Sequence, residues 1–226
     1  MNTTAIILAG GRSSRMGSDK ALLELGGLTV LERLIRELET VASRIVIAGG
    51  TKAVYERFGK EVVTDRYPGA GPLAGLHAGL ESSTTRWNLA VACDTPFANR
   101  GLFRALLERA EAAEETAARV DRASDLAAGA SGGFAPTEAI LARTPERAHP
   151  LLAAYRRSVL PGLEARLREG RLKMTAWTET LCTEYIEGEA LANASGLPLE
   201  WCTFNMNKPE DYELARSWLE SGRSEG

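Results

Sequence analysis

Residues Ala5–Leu23 read AIILAGGRSSRMGSDKALL, and this stretch decides how the rest of the chain is read. Ala5 to Leu8 is a short apolar run that stops at the adjacent glycines Gly10 and Gly11. Such a run is expected to be a buried central strand ended by a backbone turn that side chains would obstruct. Arg12, Arg15, two serines, Gly17 and the pair Asp19-Lys20 follow directly. Glycine lets backbone N–H groups approach an anion closely, and cations offset its charge. A polyphosphate suits this composition; a strand-to-helix turn with exposed arginines is the plainer alternative. The Walker pattern needs Gly-Lys followed by Ser or Thr, which neither Gly17-Ser18 nor Gly59-Lys60-Glu61 supplies. The dinucleotide fingerprint fails too, because Gly10 and Gly11 are adjacent and the next glycine is Gly17.

Beyond the glycine stretch, strand-like and helix-like segments alternate. Leu28–Val41 places apolar residues at Leu31, Leu34, Ile35, Leu38 and Val41, the spacing of a helix with one buried face. Arg44–Ala48 (RIVIA) reads as a second strand, Val54–Phe58 as a helix and Val62-Val63 as a brief strand. This alternation predicts an α/β fold with a mostly parallel sheet covered on both faces, and ligands bind beyond the carboxyl ends of such strands. Asp65 belongs at one of those ends. In Asp65–Leu80 (DRYPGAGPLAGLHAGL), Gly71 and Gly75 lie one helical turn apart and leave room either for a ligand or for close packing on the sheet. Trp87–Cys93 is another buried strand and delivers Asp94-Thr95-Pro96 at its end. Asp94 there can hold a magnesium ion or cap the following helix.

The second half reads less clearly. A helix is expected over Leu102–Glu114. From 115 to 147 the chain is rich in Ala, Gly, Ser and Arg, with only a weak strand signal at Asp125–Ala130. An amphipathic helix is expected from His149 to Arg157, and a second opening at Pro161 and ending before Gly170. Thr183–Glu187 and Trp201–Phe204 read as short strands around a surface loop at residues 188–200. Asn205 and Asn207 alternate on what reads as a strand, so their amides share one face, or one of them caps the helix starting near Pro209.

With 226 residues, 44% hydrophobic and 25% charged, the chain suits one sizeable domain. Its net charge of −3 gives no basic surface for nucleic acid. The start MNTT carries neither a basic n-region nor an apolar h-region, and no apolar run approaches membrane length, so no membrane contact and a cytoplasmic location are expected. Cys93, Cys182 and Cys202 are scattered without a C-x-x-C pair, which favours reduced thiols over a disulfide or zinc site.

The pattern LAGG-x-S-x-RMG-x-DKALL resembles the signature of nucleotidyltransferases of the nucleotide-diphospho-sugar transferase fold, and most closely that of the molybdenum cofactor guanylyltransferases. GPLAG-x-x-x-GL, CDTPF, HPLLAAYRRSVLPGLEARLREG and F-x-N-x-N-x-PED resemble further segments of that family. The resemblance implies a single Rossmann-like three-layer α/β/α domain over 1–226, with a nucleotide-binding half at 1–114 and a pterin-side half at 115–226. It implies transfer of GMP from Mg-GTP to the terminal phosphate of a molybdopterin-type cofactor. On that basis Lys20, Arg15 and Asp94 are catalytic, with Asp94 the Mg²⁺ ligand. Leu8, Ala9, Gly10, Gly11, Lys20, Asp65, Gly71, Gly75 and Asp94 contact the nucleotide, while His149, Asn205 and Asn207 contact the pterin substrate. Transient contacts with proteins that supply the cofactor or mature molybdoenzymes would follow. Where the family often has an asparagine at the end of the second strand, this chain has Ala48-Gly49-Gly50. A cytidylyl or sugar-phosphate nucleotidyltransferase is the alternative enzyme. Against these stand LAGG in place of LAAG, and Asp19 where sugar-phosphate relatives have proline. A non-catalytic nucleotide or cofactor carrier is the alternative of another class.

Overall fold

The computed structural model describes residues 2–9, 19–49, 52–126 and 135–223. Seven strands form one sheet. Strand β1 (Thr4–Leu8) is followed by a small hairpin, β2 (Glu24–Leu25) and β3 (Leu28–Thr29), outside the main sheet. Helix α1 (Val30–Leu38) begins at a capping box: the Glu32 amide donates to Thr29 Oγ1 at 3.2 Å and the Thr29 amide to Glu32 Oε2 at 2.7 Å. Both otherwise unpaired helix-end groups are thereby satisfied. Strand β4 (Arg44–Ala48), α2 (Lys52–Tyr55), β5 (Glu61–Val63), α3 (Pro72–Ser82) and β6 (Trp87–Ala92) complete the first half close to their expected positions.

The order across the sheet is β5-β4-β1-β6, continued by β8 (Ala148–Arg156), β7 (Ala139–Arg143) and β9 (Thr183–Glu187). All neighbours are parallel except β8, which runs antiparallel to both β6 and β7. Successive residues of β1 face opposite layers, as strand geometry requires. Ala5 and Ile7 pack with α1 and with α4 (Arg100–Leu126), and Ile6 and Leu8 with α3 and α5 (Leu160–Arg168). This two-sided burial makes β1 and β6 read as unbroken apolar runs.

Helix α3 lies close on β1. A Cβ at Gly79 would stand 2.3 Å from Ile6 Cγ2, and one at Gly75 would stand 3.3 Å from Leu8 Cδ2. Both glycines thus let α3 lie close on β1.

Several second-half elements differ from the sequence expectation. The segment from His149 to Arg157, expected as a helix, is strand β8 up to Arg156. Leu152 and Ala154 face one core, Ala153 and Tyr155 the other. A run buried on both faces carries no period that separates strand from helix. Pro150 is accommodated where the β7–β8 register shifts between Leu141 and Ala142, so its missing N–H costs no ladder bond to β7. Helix α4 runs well past the expected Glu114, through Ala-rich sequence to Leu126, and so crosses the 114/115 division drawn from the sequence. Asp125-Leu126 closes that helix; the rest of the Asp125–Ala130 strand expectation lies outside the described residues. Among the described residues of this region the strand is β7. Helix α5 ends before Gly170 as expected. A short α6 (Met174–Thr178) precedes β9.

Residues 188–200, expected as a loop, contain α7 (Gly188–Ser195), and Trp201–Phe204, expected as a strand, overlaps the helical turn α8 (Leu199–Cys202). Trp201 stacks on Trp218 of α9 (Pro209–Arg223) at 4.6 Å between ring centres, packing α8 against the last helix. Among the described residues, no helix is long and apolar enough to cross a membrane.

Candidate active site

The end of β6, the turn before β8, the 3₁₀ turn Lys20–Leu22 and one C-terminal segment converge. Asp94 follows β6 directly, and the carbonyl of the same residue accepts the Met206 amide at 2.7 Å. That bond brings Asn205 and Asn207 alongside. With the Asn205 amide oriented by its neighbours, its nitrogen donates to Asp94 Oδ1 at 3.2 Å and its oxygen accepts from the Arg147 guanidinium. Lys20 Nζ donates to Asn207 Oδ1 at 2.9 Å. The two asparagines thus join Lys20, Asp94 and Arg147 into one polar rim. They reach it from an irregular segment, not from a strand. The capping of α9 falls to Asp211, whose carboxylate accepts the amides of Asn207 and Lys208 at 2.7 and 2.8 Å.

Burial raises the pKa of Asp94 above its ordinary value, and Lys20 and Arg147 pull it back. The carboxylate sits where an added cation lowers the free energy of its charged form. Among the described residues, no group of three His, Cys, Asp or Glu side chains stands together. Asp94 offers a single carboxylate, with the Asn205 amide nitrogen on its Oδ1, while the Asn205 and Asn207 amide oxygens are turned to Arg147 and Lys20. That donor set fits a hard cation that keeps several waters and takes its other ligands from phosphate.

Beside this rim lies a cavity of about 180 Å³ lined by Asp94, Arg147, His149, Met174, Thr175 and Asn205, among others. His149 is 7% exposed, and its Nε2 finds no hydrogen-bond partner among the described residues. Burial, with the Arg147 charge adding to it, lowers the imidazole to about 4, so it is neutral near pH 7. An unpaired, buried ring nitrogen facing a cavity is a polar group waiting for a ligand.

Lys20, Asp94, His149, Asn205 and Asn207, all expected at the site, are brought together. Gly10, Gly11 and Arg15 lie outside the described residues. Leu8 is buried in β1 and the Ala9 amide donates to Ala48 O at 2.9 Å, so that N–H is already engaged in the sheet. Gly71 caps α3 at φ +70°, a conformation only glycine adopts without strain, and a Cβ there would meet open space. Asp65 is half-buried just past β5, three strands from β6, and no hydrogen bond or ion pair among the described residues joins it to Asp94. Strand spacing puts that separation on the order of 14 Å.

Two residues were missed by sequence reasoning. Arg147 sits in a turn of low-information sequence. Tyr55, 2% exposed, has its hydroxyl 2.6 Å from Asp19 Oδ2 and 3.1 Å from Ala9 O, one hydrogen shared unequally between two acceptors. A lone tyrosine in a helix turn gives no signal of such a role.

The family model for the MobA-like NTP transferase domain matches residues 5–182. The chain belongs to this family. A probable molybdenum cofactor guanylyltransferase of Pelotomaculum thermopropionicum is 31% identical over 224 residues, spanning 99% of this chain and 97% of the relative. A molybdenum cofactor guanylyltransferase of Serratia proteamaculans is 35% identical over 174 residues, 76% of each chain. The crystal structure of molybdopterin-guanine dinucleotide biosynthesis protein A from Archaeoglobus fulgidus superposes with a TM-score of 0.73 at 22% identity, covering 96% of this chain and 99% of that one. That likeness shows the fold, the nucleotide-diphospho-sugar transferase type expected from the sequence. As a MobA-like protein with full-length relatives of this activity class, the chain is a nucleotidyltransferase.

Proposed function

We propose that the protein transfers GMP from Mg-GTP to the terminal phosphate of a molybdopterin-type cofactor. The observation that carries the reading is the joining of Lys20, Asp94, Asn205 and Asn207 beside a cavity holding an unpaired His149 nitrogen. In this reaction an oxygen of the pterin phosphate attacks the α-phosphorus of GTP. The bond from the α-phosphorus to its bridging oxygen breaks, and pyrophosphate leaves with the electron pair. The attacking phosphate is already ionised at neutral pH, so no protein base is needed. Catalysis then rests on positioning and on neutralising charge.

Lys20 is directed by Asn207 toward the nucleotide phosphates, where its ammonium offsets the charge developing on them. Arg15 or Arg12 would assist in that neutralisation. Asp94 is held by Asn205 and would hold Mg²⁺ together with phosphate oxygens. The metal supplies further charge neutralisation at the reacting phosphate. Arg147, steered by the same Asn205, offers a planar cation to the incoming pterin phosphate, and His149 offers its neutral nitrogen to the substrate's polar edge. Gly71 leaves the backbone open to a nucleotide base, and Asp65 would contact the nucleotide.

The test is pyrophosphate release with Mg²⁺ and molybdopterin cofactor, compared across GTP, CTP, ATP and UTP. GTP preference is expected, with Asp94→Ala and Lys20→Ala each losing on the order of 10²-fold in turnover or more. A CTP preference would move the protein to the cytidylyl branch. Release that is unchanged in Asp94→Ala would refute the role given to that carboxylate.

A further inference from the structure

We propose that Tyr55 is a positioning residue for this reaction, its one hydroxyl tying Ala9 to Asp19 and through Asp19 setting the direction of Lys20. The inference rests on the reading that Lys20 neutralises nucleotide phosphate. Residues Ala9 and Asp19 flank the glycine-rich stretch, and both have an acceptor within 3.1 Å of the Tyr55 oxygen. Tyr55 reaches them from the far end of α2, 46 and 36 residues away in sequence. A phenol carries one hydrogen, and the carboxylate at 2.6 Å is the stronger claimant, so the Ala9 carbonyl takes the weaker share.

The other oxygen of Asp19 is also engaged. Asp19 Oδ1 accepts the Ala21 amide at 3.0 Å and caps the 3₁₀ turn Lys20–Leu22. A chain of two hydrogen bonds therefore runs from a buried tyrosine to the first turn of the segment that carries Lys20. At the far end of that residue, Nζ meets Asn207 Oδ1 at 2.9 Å. Lys20 is held at its backbone by Tyr55 and Asp19, and at its tip by Asn207. A lysine ammonium is a point charge on a flexible stem, so its usefulness depends on how its backbone is aimed. Burial, and the Asp19 carboxylate next to it, push the Tyr55 hydroxyl far above the usual phenol range, which keeps it a donor at every working pH.

Tyr55→Phe retains the buried ring and removes only the hydroxyl. A charge-assisted hydrogen bond lost at this point is expected to lower kcat roughly tenfold, with the KM for GTP changing much less. In a Lys20→Ala background the same substitution is expected to cost nothing further, because the group it positions is gone. Amide hydrogen exchange supplies a readout that needs no turnover: Ala21 is expected to exchange roughly tenfold faster in Tyr55→Phe, with the amides of α1 unchanged. Equal kcat in Tyr55→Phe and wild type, or equal losses in both backgrounds, would overturn the positioning role and leave Tyr55 as packing. Unchanged Ala21 exchange would overturn the tie itself. If the wild-type protein releases pyrophosphate from no nucleotide, the assigned reaction fails, and the exchange measurement by itself then decides whether Tyr55 holds the turn.

Discussion

Replacing His149 with Gln should flatten the acid side of this protein's stability profile. His149 is 7% exposed and its imidazole is lowered to about 4, against an ordinary value of 6.5. The unfolded chain therefore binds a proton near pH 6.5 that the folded chain refuses until about pH 4. Stability from the neutral ring is fully present above pH 6.5 and is lost progressively as the pH falls toward 4. Linkage over the interval from pH 7.5 to 5 gives about 2 kcal/mol for the full shift. The cavity beside the ring opens to solvent, and screening there brings the expected loss to about 1 kcal/mol. Gln does not titrate, so the wild type should lose about 1 kcal/mol more than His149→Gln over this interval, or about 2–4 °C in Tm for a chain of this size. Thermal unfolding followed by circular dichroism at half-unit pH steps measures the difference between the two proteins. Groups common to both cancel. Parallel curves from pH 7.5 to 5 would refute the assignment of a buried neutral imidazole at the cavity wall.

Two stability predictions concern the frame that holds the site. Gly79→Ala puts a methyl 2.3 Å from Ile6 Cγ2 in the fully buried interface of α3 with β1, and urea unfolding should show a loss of about 1–3 kcal/mol. Glu114 accepts from Trp87 Nε1 at 2.8 Å and pairs with Arg156 at 2.5 Å, an arginine only 8% exposed. Glu114→Ala leaves that cation buried without its carboxylate and should cost about 3 kcal/mol in the same assay. Glu114→Gln, which retains an oxygen for Trp87, should cost less.

The first half of the fold was legible because its local signals agree with its tertiary environment. RIVIA became β4, WNLAVA became β6, and the apolar spacing of Leu31, Leu34, Ile35 and Leu38 became the buried face of α1. Turn residues and apolar periods act over a few positions, and there they pointed one way. In the second half that agreement failed. The run LLAAY is equally apolar as a helix or as a strand, and only its place between β6 and β7, buried on both sides, makes it β8. Trp201–Phe204 has strand-like composition, yet Trp201 and Cys202 close a turn of helix and Trp201 stacks on Trp218.

For the candidate site, the sequence determined which residue types are available to it: Lys20 after the glycine stretch, Asp94 after β6, His149 at the head of its run, and two asparagines before the last helix. It also carried the family signature. Only the tertiary structure decided how these groups meet. Asn205 lies 111 positions from Asp94, and the pair is joined because the Met206 amide bonds the Asp94 carbonyl. Arg147 and Tyr55 entered the site without any sequence pattern. A Cβ at Gly75 would border Leu8 because α3 packs close on β1. Patterns in sequence report the short-range preferences of the backbone and the demand for burial. Which distant polar groups share a hydrogen bond is fixed by chain packing, where the cost of leaving a buried donor or acceptor unpaired selects the partner.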